Sequence, residues 1–285
     1  MSARDLVAFL GPSLGAVAAR KLVPCALWPP VGQGDVWRAL ELKPRAIALI
    51  DGVFGAQPPV WQREIVDALA EGVLVFGASS MGALRAAELA PLGMIGVGEI
   101  FRRYRDGDLV DDAEVALLYS GAEHGYQPFT VPLVNARHTA EVARRERILT
   151  RAQAAALVQR AERMFYQDRT WPRLLGPLDR ATRARLERRL SRGDLDLKAK
   201  DAAECLRTAA AWLRTRQRPP PLRAPPPPSH ARRRRGLPSP TSPPEALLAA
   251  WARSLGLGGP DEALAALALR HSERMVPDGP SPSLE

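Results

Sequence analysis

The strongest constraint on this chain lies in residues 73–90, VLVFGASSMGALRAAELA, where a short apolar run breaks at a small-residue bend and passes directly into an alanine-rich helix. A strand that turns into a helix within so few residues needs small side chains at the corner. Ala78, Ser80 and Gly82 keep the small-x-Ser-x-Gly spacing of a nucleophile elbow, in which a strained turn pushes one serine out of the chain. The helix that follows aims unpaired N–H groups and its positive dipole end at the same place. Three uses of such a bend stay open: a nucleophile, an anion cradle with Ser79 and Gly82 as contributors, or a tight corner.

The pattern recurs upstream. Residues 6–10, LVAFL, lead into Gly11-Pro12-Ser13 and a helix, and residues 46–50, AIALI, end in Asp51-Gly52. Continuous apolar runs, unlike alternating ones, mark strands buried on both faces, hence a parallel sheet with helices on either side. The predicted class is α/β, Rossmann-like or flavodoxin-like. In an open parallel sheet, ligands bind beyond the carboxyl ends of the strands. Gly11, Ser13, Asp51, Ser79 and Ser80 should therefore share one edge.

This α/β core is expected over residues 1–130, with a helical subdomain over 131–217. Residues 218–244 carry 11 prolines and a run of four arginines, Arg232 to Arg235, a composition that cannot bury a core and predicts a disordered linker. A short helical tail is expected over 245–285. The same linker explains most of the net charge of +9, since residues 219–244 hold five arginines and no acid. Elsewhere bases alternate with acids, as on a solvated helix face, so no nucleic-acid partner is expected. The two cysteines, Cys25 and Cys205, are far apart and form no C-x-x-C pair, which fits a reducing, cytoplasmic setting. No apolar stretch is long enough for a membrane helix. Gly11 to Gly15 lacks the Gly-Lys-Ser/Thr ending of a nucleotide loop, and Gly93 to Gly98 has the wrong spacing for a dinucleotide fingerprint, so no cofactor is expected. Asp111, Asp112 and Glu114 have no His or Cys beside them, and no metal is expected there.

Other residues enter as candidates for the same rim. Asp51 at a strand end either caps a turn or orients a base. Glu64 could reach the rim from the edge of its helix. Arg85, one turn into the elbow helix, could stabilise an anion or pair with Glu88. A serine nucleophile also needs a base. His124 in a loop is the nearest candidate in sequence, His138 sits in a helix, and His230 and His271 fall in the tail.

Several strings resemble the TfuA-like family: FLGPSL at 9–14, PPVGQGDVWRAL at 29–40, IDGVF at 50–54, WQREIVDAL at 61–69, FGASSMGALRAAEL at 76–89, GMIGVGEIF at 93–101 and DDAEVALL at 111–118. FYQDRTW at 165–171 and DLKAKDA at 196–202 extend the likeness more weakly. The resemblance implies an accessory protein for YcaO-dependent peptide-backbone modification, such as thioamidation. Its implied partners are a YcaO protein, a sulfur-carrier protein with a C-terminal thiocarboxylate and, indirectly, the precursor peptide. It further implies release or delivery of sulfur from the carrier, by hydrolysis with Ser80 as nucleophile and Asp51 in support. Non-catalytic recruitment of carrier or peptide is the alternative. Where the family pattern leads one to expect a histidine after EVA, this chain has Tyr119, so Tyr119 or His124 would have to serve.

Overall fold

A computed structural model describes residues 2–53 and 58–215, all within one compact unit. The expectations for 218–244 and 245–285, including His230 and His271, lie outside the described residues.

Five parallel strands form one sheet: β1 (Leu6–Phe9), β2 (Ala26–Trp28), β3 (Ala46–Leu49), β4 (Leu74–Gly77) and β5 (Ile95–Gly96), in the order β2-β1-β3-β4-β5. The order decides between the two arrangements read from the sequence in favour of the flavodoxin-like one, whose switch point lies between β1 and β3. The helices α1 (Ala16–Leu22), α2 (Asp35–Leu40), α3 (Gln62–Ala70), α4 (Met81–Leu89) and α5 (Gly98–Arg105) connect or follow the strands. The two short strands β2 and β5 were invisible as apolar runs, because three and two residues carry too little pattern.

Both faces of the sheet are covered. Val7, Phe9, Ile47, Leu49 and Val75 point to one face, where α2 to α5 supply Val36, Ile65, Ala86 and Ile100. Leu6, Ala8, Ala46, Ala48, Leu74 and Phe76 point to the other. That second face receives α1 and a long helix from much later in the chain, α10 (Leu197–Thr215), through Ala202, Cys205, Leu206, Ala209 and Leu213. Each such large side chain contributes roughly 1.5–3 kcal/mol by leaving water. Between α5 and α10, α6 (Leu133–Arg145), α7 (Arg151–Arg163), α8 (Trp171–Leu175) and α9 (Arg180–Leu190) share a separate apolar core around Ala140, Leu157, Leu174 and Leu186. The stretch expected to be a helical subdomain over 131–217 thus divides. Helices α6 to α9 form the added group, while α10 returns to complete the sheet.

Two carboxylates tie the elements together at helix N-termini, where free N–H groups attract anions. Asp201 on α10 accepts from Glu99 N (3.0 Å) and Ile100 N (2.7 Å), and burial pushes its carboxyl up to about 6 despite those bonds. Glu64 accepts from Gly34 N (2.8 Å), Val36 N (3.2 Å) and Trp61 N (3.1 Å), bridging the starts of α2 and α3; burial lifts it to about 7.

The elbow itself is set by glycine. A Cβ on Gly82 would collide with the Leu49 carbonyl, and one on Gly77 with the Gly82 carbonyl, so α4 starts with its backbone against β3 and β4. Gly82→Ala should cost about 3 kcal/mol through forced displacement of that backbone, a fall in melting temperature of about 6–12 °C for a chain of this size. Gly15→Ala, which meets no atom within 4 Å, should move it by less than about 2 °C. Thermal unfolding of the two variants beside the parent checks the contrast.

Candidate active site

The loops after β1, β3 and β4 meet at the carboxyl edge of the sheet in a chain of hydrogen bonds. Asp51, 1% exposed, accepts from Gly11 N (2.8 Å) and Ser13 N (3.0 Å) on Oδ2 and from Ser13 Oγ (2.6 Å) on Oδ1. Ser79 Oγ donates in turn to Ser13 Oγ at 2.8 Å. The order runs from β4 through β1 to β3, with each hydroxyl polarised by the next group and the carboxylate at its end. Asp51 thus fixes the loop after β1 as a cap does, and Gly11 contributes its amide.

Ser79 sits at the tip of the elbow with φ at +67°, a left-handed value that is uncommon for a residue bearing a Cβ. The motif spacing had put the tip at Ser80. Ser80 instead opens α4 as its N-cap residue and turns its side chain the other way. Its Oγ meets Lys198 Nζ at 3.1 Å. The same amine donates to the Val115 carbonyl at 2.8 Å. Lys198 belongs to α10 and is fully buried, so burial holds its amine below the usual lysine value. Asp51, and after it Asp196, oppose that shift. A buried lysine with a lowered affinity for its proton, in contact with a serine hydroxyl at a strand-to-helix bend, is the arrangement of a serine–lysine pair. The Met81 amide opens α4 directly after Ser80 and makes no hydrogen bond to any described residue. It is the backbone donor expected for an oxyanion beside that serine.

Sequence reasoning missed Lys198 altogether. It lies 118 positions from Ser80, and the only signal was the DLKAKDA string. The bases expected from the sequence are Tyr119 and His124. His124 stands on an exposed short turn, with its backbone carbonyl taken by Ser120 Oγ, and no contact links it to Ser80. His138 is half-buried on α6; burial first, then Lys200, Arg145 and Arg103, depress its proton affinity, and Glu99 opposes them.

Tyr119 does come to the site. Burial first, then Asp51 and Tyr126, push its phenol up, which keeps it protonated. It packs edge-on against Tyr126 at 6.1 Å, and Tyr126 lies over Gly11. The segment from Val115 to Thr130 therefore covers the crevice, closed on itself by Ser120 N to the Gln127 carbonyl and Phe129 N to the Leu118 carbonyl. Its outer side carries Phe129, 64% exposed. Under it Ser80 is only 2% exposed, where an accessible hydroxyl was expected.

Three other candidates are occupied elsewhere. Arg85 donates from Nε to the Val60 carbonyl (3.1 Å) and from Nη1 to Glu88 (2.9 Å), pinning α4 to the segment before α3. Glu64 holds the two helix starts described above. Gly82 permits the close approach of α4 to β3. Asp111 caps a short turn through Ala113 N (2.8 Å), and Glu114 pairs with Arg137 at 2.9 Å.

The depressed lysine has a thermodynamic signature. Between its lowered folded value and the ordinary 10.5, the unfolded chain binds a proton that the folded chain does not. Stability therefore rises with pH across that window. Lys198→Met removes this contribution. Urea unfolding from pH 7 to 10 should show stability rising more steeply for the parent than for the variant; equal slopes would mean that the amine is fully charged in the fold.

No curated protein matches the chain. Against models of protein families, residues 51–170 match the one described as TfuA-like protein, the stretch that holds Asp51, the elbow and the covering segment. The likeness read from the sequence is thereby supported over its central part: residues 51–170 are similar to the TfuA-like family.

Proposed function

We propose that this chain is an accessory protein of peptide-backbone modification that hydrolyses a thiocarboxylated carrier C-terminus and so frees sulfide for a YcaO partner. The TfuA-like match supports the accessory role. The contact of Lys198 Nζ with Ser80 Oγ at 3.1 Å carries the hydrolytic reading.

In this reading the neutral Lys198 amine takes the proton of Ser80 Oγ as that oxygen attacks the thiocarboxylate carbon. The tetrahedral oxyanion is held by the Met81 amide, a donor worth about 3 kcal/mol in comparable sites. Collapse breaks the C–S bond, the ammonium of Lys198 protonates the departing sulfur, and an ester on Ser80 remains. Water then attacks that ester with Lys198 again as base, giving a carboxylate and restoring Ser80. The balance is one thiocarboxylic acid and one water to one carboxylic acid and hydrogen sulfide. Asp51 fixes the loop that bears Ser13 and supplies charge opposite the ammonium. Substrate entry requires the segment 115–130 to move.

The burial of Ser80 favours a second reading. A closed crevice also suits a non-catalytic adaptor that brings carrier or peptide to YcaO, raising their local concentration.

Sulfide release from a thiocarboxylated carrier, measured with the purified protein and no YcaO, separates the two. Ser80→Ala and Lys198→Met should each lower the rate by at least about 10³-fold with the fold intact. Ser79→Ala should be milder, because Ser79 touches Ser13 rather than Lys198. A wild-type rate in Ser80→Ala would leave the adaptor reading in its place.

A further inference from the structure

We propose that Asn135, on the first turn of α6, is a positioning residue that sets Lys198 against Ser80. The inference rests on the reading of Lys198 as the base for Ser80.

The start of α10 is held by a closed ring of hydrogen bonds that includes one group from outside the helix. Asp196 precedes α10, and its Oδ1 accepts from Ala199 N at 2.9 Å, the bond of an N-cap carboxylate. The same Oδ1 accepts from Asn135 Nδ2 at 2.9 Å. Asn135 then uses its other end: Oδ1 accepts the backbone N–H of Lys198 at 3.2 Å. Both polar atoms of one amide thus hold the residue that bears the amine and the carboxylate that caps its helix. Asn135 is 7% exposed, so water does not readily replace either bond.

The lever is long. Four methylene groups separate the Lys198 backbone from Nζ, and a small rotation at the first turn of α10 is magnified at the amine. The amine must hold Ser80 Oγ and the Val115 carbonyl together. Asn135 also joins the separate group α6 to α9 to the crevice. Displacement of that group would therefore be felt at the base.

The test uses the full chain, with a synthetic peptide ending in a thiocarboxylate as substrate and sulfide as readout. A second readout is the titration of Lys198 followed by NMR of its labelled ε-carbon. The charged groups acting on that amine are Asp51, at the end of β3, and Asp196. Asn135→Ala should lower kcat by about 10²-fold, the cost of a misplacement near 1 Å, with KM within about threefold. The Lys198 titration should move toward 10.5 as the amine reaches water. Asn135→Asp should be at least as harmful, because it sets two carboxylates face to face. Combining Asn135→Asp with Asp196→Asn restores one donor and one acceptor in reversed order, and should recover kcat to within about threefold and the parent titration. A purely structural amide would show loss of folded protein without the split between kcat and KM. The inference is overturned if Asn135→Ala keeps the parent kcat and titration, or if the folded double variant recovers neither. If the parent releases no sulfide, or Ser80→Ala releases it as fast, the hydrolytic reading fails, while the Lys198 titration still decides the positioning role.

Discussion

The site turns on one expensive placement, the amine of Lys198 inside the protein. Desolvation makes a buried ammonium costly, so the fold must either give it partners or let it lose its proton. Here the amine has partners, and burial also weakens its hold on the proton. Ser80 Oγ and the Val115 carbonyl satisfy the amine, Asp51 and Asp196 favour its charge, and burial still holds it below the ordinary lysine value. A chain selected for stability alone would put an apolar side chain at that position. Retaining the amine is consistent with the base role proposed for it.

That placement follows from the return of α10 to the sheet. The second face of the sheet, lined by Leu6, Ala8, Ala46, Ala48, Leu74 and Phe76, would be open with α1 alone, and α10 closes it. Closing the face brings the N-terminus of α10 to the edge where the strands end. The helix that completes this core thus also carries the site's amine. Asp201, three residues beyond Lys198, fixes the same turn against the start of α5.

On the other side of the site, the constraint is lack of space. Gly77 and Gly82 let α4 begin against the backbone of β3, which forces the bend between them to be tight. The strain falls on Ser79, and Ser80 is carried to the helix cap facing Lys198. The two adjacent serines therefore belong to different networks. One ends on the carboxylate of Asp51 and the other on the amine of Lys198. The covering segment lays Tyr126 over Gly11 with Tyr119 packed against it, and the groups of both networks are buried, which strengthens the interactions within them.

The amino-acid sequence by itself determined the parallel α/β class, because strands buried on both faces must be continuously apolar, as at 6–10, 46–50 and 73–76. It also determined which strand ends would carry polar groups, and hence that Ser13, Asp51, Ser79 and Ser80 would gather at one edge. Glu64, Arg85 and Gly82 were legible only as nearby, since a polar or small residue beside a rim looks the same whether it caps a helix, braces a loop or binds a ligand. Tertiary structure alone decided the rest: the flavodoxin-like strand order, the tip of the elbow at Ser79, and the lysine that meets Ser80. Strand order depends on which edge each connection takes, and β2 and β5 are too short to announce themselves. The elbow tip depends on how closely α4 can approach β3. Lys198 is one of 40 basic residues in the chain, and nothing local distinguishes it from a solvated helix face. Only the packing of α10 on the sheet, 118 residues from Ser80, takes its amine out of water and gives it a partner.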